Sequence, residues 1–408
     1  MSLEDRSAKL DPSEVSHLIT LYRDGLLQDT LPFWINHCVD REHGGFLFCL
    51  DRDGRILSTD KPVWLHGRFV WLLSTLCDRV EPKEEWIELA RHGLDFLRRH
   101  GFDSDGRMFF TLTREGRPLR KRRYLFSEAF TTMALAAYAK AAADREAAQE
   151  ALDLFNLIIR YHTTPGLLEP KVIPETRRTK GLAMPMILIA VAQVLRDAVD
   201  DPICNEWINR SIDEIERDFM KPQFEAVLET VGAGGEFIDT FEGRMLVPGH
   251  AIEAAWFILH EASCRGGDRR LRHIGLTILD WMWQRGWDEK YGGIFYFRDA
   301  KDLPCAEYWH DMKFWWPHTE AIIATLLAYE QTGNSEYLRW HKLVHDWAYG
   351  HFPDAEYGEW YGYLRRDGSL STRLKGNMWK GPFHLPRMQL YCWKLLEAMH
   401  GQQASENP

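Results

Sequence analysis

Apolar residues recur along most of this chain with the spacing of amphipathic helices, at positions such as Leu89, Leu94, Ile322 and Leu326. A period near 3.6 residues places such side chains on one face of a helix. The pattern predicts twelve helices in succession, at residues 13–38, 62–80, 84–100, 127–143, 146–161, 181–198, 203–220, 249–265, 268–286, 312–331, 334–350 and 384–400.

The loops between these helices repeat a second pattern, in which an acidic residue and two glycines precede an aromatic residue, often with Asp-Gly further on. Glycine accepts the positive φ that a tight turn requires, so each copy predicts a short β-hairpin or turn. The copies recur at multiples of about 60 residues, which matches one helical hairpin per repeat. They lie at residues 42–46 with 53–54, at 289–295, at 357–362 with 367–368, and in a degenerate form at 105–109.

Twelve helices in antiparallel pairs predict an all-α fold, an (α/α)6 barrel with short β-hairpins in the loops between helices. An open solenoid of the same pairs is the alternative, but solenoids need polar end repeats and none is visible here. Since no linker rich in Ser, Gly or Pro divides the chain, we expect one domain over residues 1–408, with disordered ends at 1–10 and 401–408.

The composition of the chain argues against several classes of binding partner. A net charge of −10 argues against a nucleic-acid partner, and the short basic run at 117–123 is more typical of a solvated loop than of a phosphate or nucleotide site. No apolar stretch could span a bilayer, and the polar first residues do not resemble a signal peptide. Seven scattered cysteines fit reduced thiols, so we expect a cytoplasmic protein.

Among the six even-numbered predicted helices, five carry ionisable residues near their start, and the helix at 181–198 carries Met184 there. In an (α/α)6 barrel these helices form the inner ring, run parallel, and meet at one mouth. A surface location would not require this clustering, so the pattern predicts a functional site there. The residues are Arg68, Glu128, His250 with Glu253, His318 with Glu320, and His384.

His250 and His384 are the candidate acid and base. His250 follows Pro-Gly and could be only a helix cap, but Glu253 lies one turn further on and could orient its imidazole. Two prolines bracket His384, which suits a rigidly held catalytic group as well as a buried core histidine. Helix N-termini favour neutral imidazoles, and a neutral imidazole can act as a base.

The other candidates have less definite roles. Arg68 lies on an apolar helix and needs a partner, either a substrate oxygen or Glu320. His318 is more typical of a supporting or core residue than of a catalyst. No paired ligand spacing argues for a metal, and nucleotide-binding and hydrolase motifs are missing. The expected substrate contacts, for several of which core packing is an equal alternative, are Glu128, Glu253, His318, Trp316, Phe383 and Trp64.

Five blocks of sequence resemble the N-acylglucosamine 2-epimerase family, in order and at fitting separations. Each block is weakly diagnostic alone, whereas the set is specific. The blocks are Arg68-x-x-Trp71, Phe126-Ser127-Glu128-x-Phe130, Pro248-Gly249-His250-x-x-Glu253, Trp315-Trp316-Pro317-His318-x-Glu320 and Lys380-Gly381-x-x-His384-x-Pro386-Arg387.

The resemblance implies an (α/α)6 barrel, often a homodimer, that interconverts N-acetylglucosamine and N-acetylmannosamine. It implies that His250 and His384 are the two bases and that Arg68 and Glu320 are essential. Relatives of the cellobiose 2-epimerase and isomerase branch carry a further histidine where this chain has Met184 and its neighbours, which favours the N-acyl-hexosamine branch. Some family members are activated by ATP without consuming it, and no motif here establishes that trait.

Three other functions remain open. The same bases could serve an aldose–ketose isomerase or a 2-epimerase of a sugar such as mannose. Several glycoside hydrolases share the barrel and use two carboxylates, for which Glu253, Glu320 and Glu128 are available. A binding scaffold is also possible, but it leaves the clustered histidines and glutamates unexplained.

Overall fold

The structure, a computed structural model, describes residues 10–122 and 124–406. Every predicted helix is present, and two contain a π-helical turn. Within the described residues the helices are α1 Pro12–Asp24, which continues through the π-turn Gly25–Thr30 into α2 Leu31–Cys38, α3 Val63–Arg79, α4 Glu84–His100, α5 Phe126–Ala142, α6 Arg145–Thr163, α7 Ala183–Arg196, α8 Pro202–Glu214 with the π-turn Ile215–Phe219, α9 Phe241–Arg244, α10 Pro248–Cys264, α11 Arg269–Gly286, α12 Trp315–Thr332, α13 Ser335–His351 and α14 His384–Glu406.

The helices close into a double ring. Neighbouring inner helices pack in the order α3, α5, α7, α10, α12 and α14, and each packs most extensively against one outer helix. The outer partner of the last inner helix, α14, is the first helix of the chain, α1. Trp71 on α3 contacts Tyr391 on α14 with ring centroids 6.4 Å apart, which joins the last inner helix to the first. The predicted (α/α)6 barrel is therefore confirmed, and the open solenoid is excluded.

The two rings differ in how their helices begin. Five outer helices start with an aspartate or asparagine whose side chain accepts a backbone N–H, which is the preferred N-cap. The inner helices α3, α5, α7, α10 and α12 begin without such a side-chain cap. The first N–H groups of α3 and α12 donate instead to backbone carbonyls of the loops, those of Phe110 and Gly362. The capping residues are Asp11, Asp144, Asp201, Asp268 and Asn334.

Short antiparallel hairpins occupy the mouth, as the loop pattern predicts. In the described chain the strands are β1 Cys49–Leu50, β2 Ile56–Ser58, β3 Lys61–Pro62, β4 Thr111–Leu112, β5 Pro118–Arg120, β6 Thr179–Gly181, β7 Met220–Lys221, β8 Ala226–Val227, β9 Thr230–Gly232, β10 Met245–Leu246, β11 Arg298–Asp299, β12 Lys313–Phe314, β13 Tyr363–Leu364 and β14 Leu370–Thr372. They form the ladders β1-β2, β3-β4-β5, β6-β9, β7-β8, β10-β11 and β12-β13-β14.

A buried Asp–Lys–Arg cluster recurs in three of these loops and links neighbouring repeats. Asp354 pairs with Lys375 at 3.0 Å and with Arg52 at 2.7 Å. Because Arg52 belongs to the first hairpin and Asp354 follows α13, this cluster ties the end of the barrel to its beginning. Burial opposes ionisation of Asp354, but Arg52 and Lys375 outweigh it and hold the pKa of this carboxyl below its usual value. The equivalent clusters are Asp40 with Lys61 and Arg114, and Asp288 with Lys313 and Arg366.

We expect Asp354→Asn to lower the free energy of unfolding by about 3 kcal/mol, because it leaves the buried ammonium of Lys375 without a counter-ion. The thermal midpoint measured by calorimetry should fall accordingly. Asp53→Asn, an exposed turn position in the hairpin that carries Arg52, should change it little. An unchanged midpoint for Asp354→Asn would show that the cluster does not hold the ring closed.

The predicted disordered segments, 1–10 and 401–408, lie partly outside the described residues. At their inner edges Leu10 is buried and α14 continues to Glu406. In the part of the chain that the structure covers, no helix has the length and apolar run needed to cross a bilayer.

Candidate active site

A cavity of about 730 Å³ opens at the N-terminal ends of the inner helices. Aromatic side chains form most of its wall, and Arg68, His250, Glu253 and His384 complete it. The described lining residues are Trp64, Arg68, Phe110, Tyr124, Phe126, Phe130, Ala183, Met186, Ile187, His250, Glu253, Tyr296, Trp309, Phe314, Trp315, Trp316, Tyr363, Asn377, Trp379 and His384.

His384 is held as a neutral base. Its Nδ1 lies 2.7 Å from Oε1 of the fully buried Glu320, so we assign the Nδ1 proton to this hydrogen bond and the free lone pair to Nε2. Burial, together with the nearby guanidinium groups of Arg68 and Arg387, lowers the pKa of His384 well below its usual value. An imidazole in this state can accept a proton through Nε2 at neutral pH.

His250 has the opposite electrostatic setting. Its Nδ1 lies 3.0 and 3.1 Å from the two carboxylate oxygens of Glu229, a residue between β8 and β9. Burial opposes protonation, but the Glu229 carboxylate outweighs it and raises the pKa of His250. The expectation that Glu253 orients His250 is wrong, because Glu253 pairs with Arg387 instead. His250 is thus suited to donate a proton while His384 accepts one.

Both imidazoles border the same indole. The ring centroid of Trp316 lies 5.1 Å from that of His250 and 5.6 Å from that of His384. Since α12, which carries Trp316, packs between α10 and α14, the two histidines flank this tryptophan. A substrate lying on the indole would therefore have one histidine near each side.

Arg68 is the cation left available for a ligand. Its guanidinium lies 4.1 Å from the ring centroids of both Trp64 and Phe130, and 4.5 Å from that of Phe383. It makes no hydrogen bond or ion pair with any described residue, and its Nε is buried without a partner. Burial lowers the pKa of Arg68 to about 9, so it remains charged at neutral pH. The predicted pairing of Arg68 with Glu320 is replaced by stacking on aromatic rings.

Arg387 bridges the carboxylates of Glu253 and Glu320 and was not predicted as a site residue. Its Nη2 donates to Glu253 and, at 2.7 Å, to Oε2 of Glu320. Trp256 Nε1 donates to the same Glu320 oxygen at 2.7 Å. Both oxygens of Glu320 are therefore hydrogen-bonded within this network, and Glu320 positions the imidazole of His384.

One group of possible metal ligands coincides with this network. Donor atoms of Glu253, Glu320 and His384 lie within 4.8 Å of one another. The guanidinium of Arg387 already bridges the two carboxylates, so a cation there would have to displace it. The donor set therefore does not fit a metal ion while Arg387 holds this position.

His318 lies behind the cavity, and its predicted contact with substrate is wrong. It is fully buried, its Nε2 accepts the backbone N–H of Ile294 at 2.9 Å, and its ring stacks on Trp347. His66 does the same for Phe46 at 2.9 Å in the first repeat. Both histidines fasten a glycine-rich hairpin to an inner helix.

Two other expected substrate contacts are also wrong. Glu128 is fully buried, with Oε1 accepting from Arg107 at 2.6 Å and from the backbone N–H of Met108 at 2.9 Å. Phe383 is 1% exposed and packs between Arg68 and Trp71, so it supports the guanidinium from behind. Trp64, Trp316 and Glu253 do line the cavity.

A register signal in the sequence separates the two kinds of histidine. His66 and His318 each stand two residues before the inward charged residues Arg68 and Glu320, whereas His250 stands three residues before Glu253. His384 likewise stands three residues before Arg387. One residue turns a side chain by about 100° around a helix, enough to move it from the cavity to the outer ring. No comparable signal marks Glu229.

We expect Glu229→Gln to shift the pH dependence of kcat/KM because it removes the charge that raises the pKa of His250. In the reaction direction in which His250 donates a proton, kcat/KM falls as pH rises through the pKa of His250, and this fall should occur at lower pH in the variant. In the reverse direction His250 accepts a proton, so kcat/KM rises with pH, and this rise should begin at lower pH in the variant. Profiles of Glu225→Gln, an exposed carboxylate in the turn before β8, should match the wild type. Unchanged profiles for Glu229→Gln would contradict the assignment.

Comparisons with known proteins agree with this geometry. The family model for N-acylglucosamine 2-epimerase matches residues 44–384. The N-acylglucosamine 2-epimerase of Bos taurus is 36% identical over 383 residues, covering 91% of this chain and 89% of the relative. The cellobiose 2-epimerase of Bacteroides fragilis is 25% identical over 389 residues, covering 90% and 95%.

A solved cellobiose 2-epimerase from Spirochaeta thermophila has the same fold, with a TM-score of 0.82, 22% identity, and coverage of 96% of this chain and 99% of that one. The family match spans both histidines, the unpaired arginine and most of the barrel. The chain therefore belongs to the N-acylglucosamine 2-epimerase family and is a carbohydrate epimerase.

Proposed function

We propose that this enzyme interconverts N-acetyl-D-glucosamine and N-acetyl-D-mannosamine by proton transfer at C2. The observation that carries the proposal is the pair His250 and His384 flanking Trp316 in one cavity, with unpaired Arg68 beside them. The N-acylglucosamine 2-epimerases among the relatives support the choice of substrate.

The reaction follows from the protonation states at the site. After the sugar ring opens, the C1 aldehyde acidifies the C2–H bond. His384 Nε2 takes this proton from one face, and the C–H electron pair becomes the C1–C2 double bond of an enolate. Imidazolium His250 then returns a proton to the other face of C2, and the C1 carbonyl re-forms.

Arg68 is placed to stabilise the charge on the enolate oxygen. A guanidinium in a largely buried, aromatic setting interacts with such a charge more strongly than it would in water. The reaction is redox-neutral, and proton transfer alone balances it, so the proposed chemistry uses no cofactor. Nucleotide activation, a homodimer and a cytoplasmic location stay predictions.

The hydrolase alternative has little support from the carboxylates. Glu253 and Glu320 are bridged by Arg387, and Glu128 is paired with Arg107 behind the cavity. A retaining or inverting glycosidase needs two carboxyl groups facing the scissile bond. Among the three proposed carboxylates, only Glu253 lines the cavity.

The test is a panel of sugars incubated with the enzyme in D₂O and followed by NMR. We expect N-acetylglucosamine and N-acetylmannosamine to interconvert, with deuterium entering C2 of the product. Formation of a ketose would establish an isomerase instead, and turnover restricted to glucose and mannose would move the substrate to unacylated sugars. Release of reducing sugar from a glycoside would support the hydrolase.

A further inference from the structure

The polarity of the cavity wall differs from one inner helix to another. Helices α10, α12, α14 and α3 contribute the histidines, Glu253, three tryptophans and Arg68. Helices α5 and α7 contribute side chains made only of carbon, hydrogen and sulfur. Among the described residues that line the cavity, these are Phe126, Phe130, Ala183, Met186 and Ile187.

The apolar sector lies opposite α12 and Trp316 in the ring, and the Phe130 ring centroid at its edge is 4.1 Å from the Arg68 guanidinium. His250 and His384 flank α12, and α5 stands three positions from α12 in the ring of six inner helices. Helix α7 stands between α5 and α10, next to His250. A sugar whose C2 lies between the imidazoles therefore extends away from Trp316 toward α5 and α7.

The polarity of each substituent of C2 indicates which part of the cavity it contacts. The C2–H bond must point at a histidine, and the oxygen on C1 must reach Arg68. The chain from C3 to C6 carries hydroxyl groups, which lose free energy against a wall that offers them no hydrogen bond. An acyl methyl group has no such requirement and gains from contact with apolar side chains.

The side chains of the apolar sector are also held firmly enough to limit the length of an acyl chain. Met186 and Ile187 are each only 5% exposed, and Phe130 is 3% exposed, so these side chains are held by the surrounding core. Packed cores do not yield freely to an extra methylene. The depth of the apolar sector should therefore be set by its side chains.

We propose that Phe130, Met186 and Ile187 form an acyl subsite that takes the short acyl chain of a 2-acylamido sugar, and that Ile187 limits the length of this chain. The inference rests on the proposed function, since it assigns a place to the N-acyl group. It makes α7 the helix that sets specificity while α10 and α14 carry out proton transfer.

The test compares Ile187→Ala with Leu188→Ala. Both remove a branched side chain from the same buried stretch of α7, but only Ile187 lines the cavity. Substrates are N-acetyl- and N-butanoylglucosamine. In pockets of this kind one methylene changes kcat/KM by about 10- to 200-fold, so Ile187→Ala should raise the butanoyl-to-acetyl ratio at least about tenfold.

Leu188→Ala should leave that ratio near the wild-type value even if it lowers stability. An unchanged ratio in Ile187→Ala, or an equal shift in both variants, would overturn the subsite. If Ile187→Ala does not fold, Ile187→Val removes one carbon and should shift the ratio in the same direction by less.

A binding experiment separates this inference from the proposed function. N-acetyl- and N-butanoylglucosaminitol cannot react, so calorimetry with these alditols measures the acyl preference without turnover. If the wild type fails to epimerise any 2-acylamido sugar, the proposed function fails. The subsite then stands only if Ile187→Ala, and not Leu188→Ala, moves the alditol preference toward the butanoyl chain.

Discussion

Replacing His384 by asparagine is expected to abolish epimerisation while leaving hydrogen exchange at C2 of one epimer. Each histidine faces one side of C2 in the proposed reaction, so the variant keeps the group that serves the other face. General acid–base catalysis contributes about 10²- to 10⁴-fold, and we expect kcat to fall by about a thousandfold. His250→Asn should show the mirror result, with exchange surviving in the opposite epimer.

The measurement is NMR of each pure epimer in D₂O. For each variant we expect deuterium to enter C2 of one epimer without formation of the other. His318→Asn is the matched control, because this histidine holds a hairpin and does not face the cavity. It should lower the thermal midpoint and leave turnover of the folded enzyme intact.

Two results would defeat the two-base scheme. The first is near-normal epimerisation in either variant, which would mean that one histidine serves both faces. The second is exchange of the same epimer in both variants, which would place both imidazoles on one side of C2. The geometry around Trp316 opposes both results, because the two histidines come from helices on opposite sides of α12.

Much of this fold could be predicted because helical periodicity is a local property. The inner and outer helices each show an apolar period, and the glycine-rich loops mark the turns. Gly45 and Gly293 have φ of 67° and 74°, and a Cβ at either position would approach Nε2 of His66 or His318 within 2.8 Å. Each hairpin can therefore pack against its histidine only because a glycine stands at this position.

The site was harder to predict because its partners come from distant parts of the chain. Glu320 holds His384, which is 64 residues away, and Arg387 reaches Glu253 over 134 residues. Clustering at helix starts identified the histidines, but it could not show that Glu229 faces His250. Nor could it separate an inward from an outward histidine without the spacing between each histidine and the inward charged residue that follows it.

Removal of the Arg68 guanidinium has a different expected signature from loss of a histidine. Arg68→Ala should lower kcat by about 10²- to 10³-fold, the cost of losing a preorganised group that stabilises a transition-state oxyanion. The contact strengthens as charge develops, so KM should change less than kcat. Exchange at C2 should fall in both epimers alike, because the enolate itself becomes harder to form.

Chemical rescue makes the Arg68 prediction decisive. The variant leaves a space lined by Trp64, Phe130 and Phe383 that matches a planar cation. Added guanidinium should restore part of kcat at concentrations that do not unfold the enzyme, whereas ammonium should restore less because it does not stack on the rings in the same way. Arg339→Ala, at an exposed position, should lose no activity and gain none from guanidinium. If Arg68→Ala keeps kcat within about tenfold of the wild type, the enolate charge is stabilised by another group and the role assigned to Arg68 is wrong.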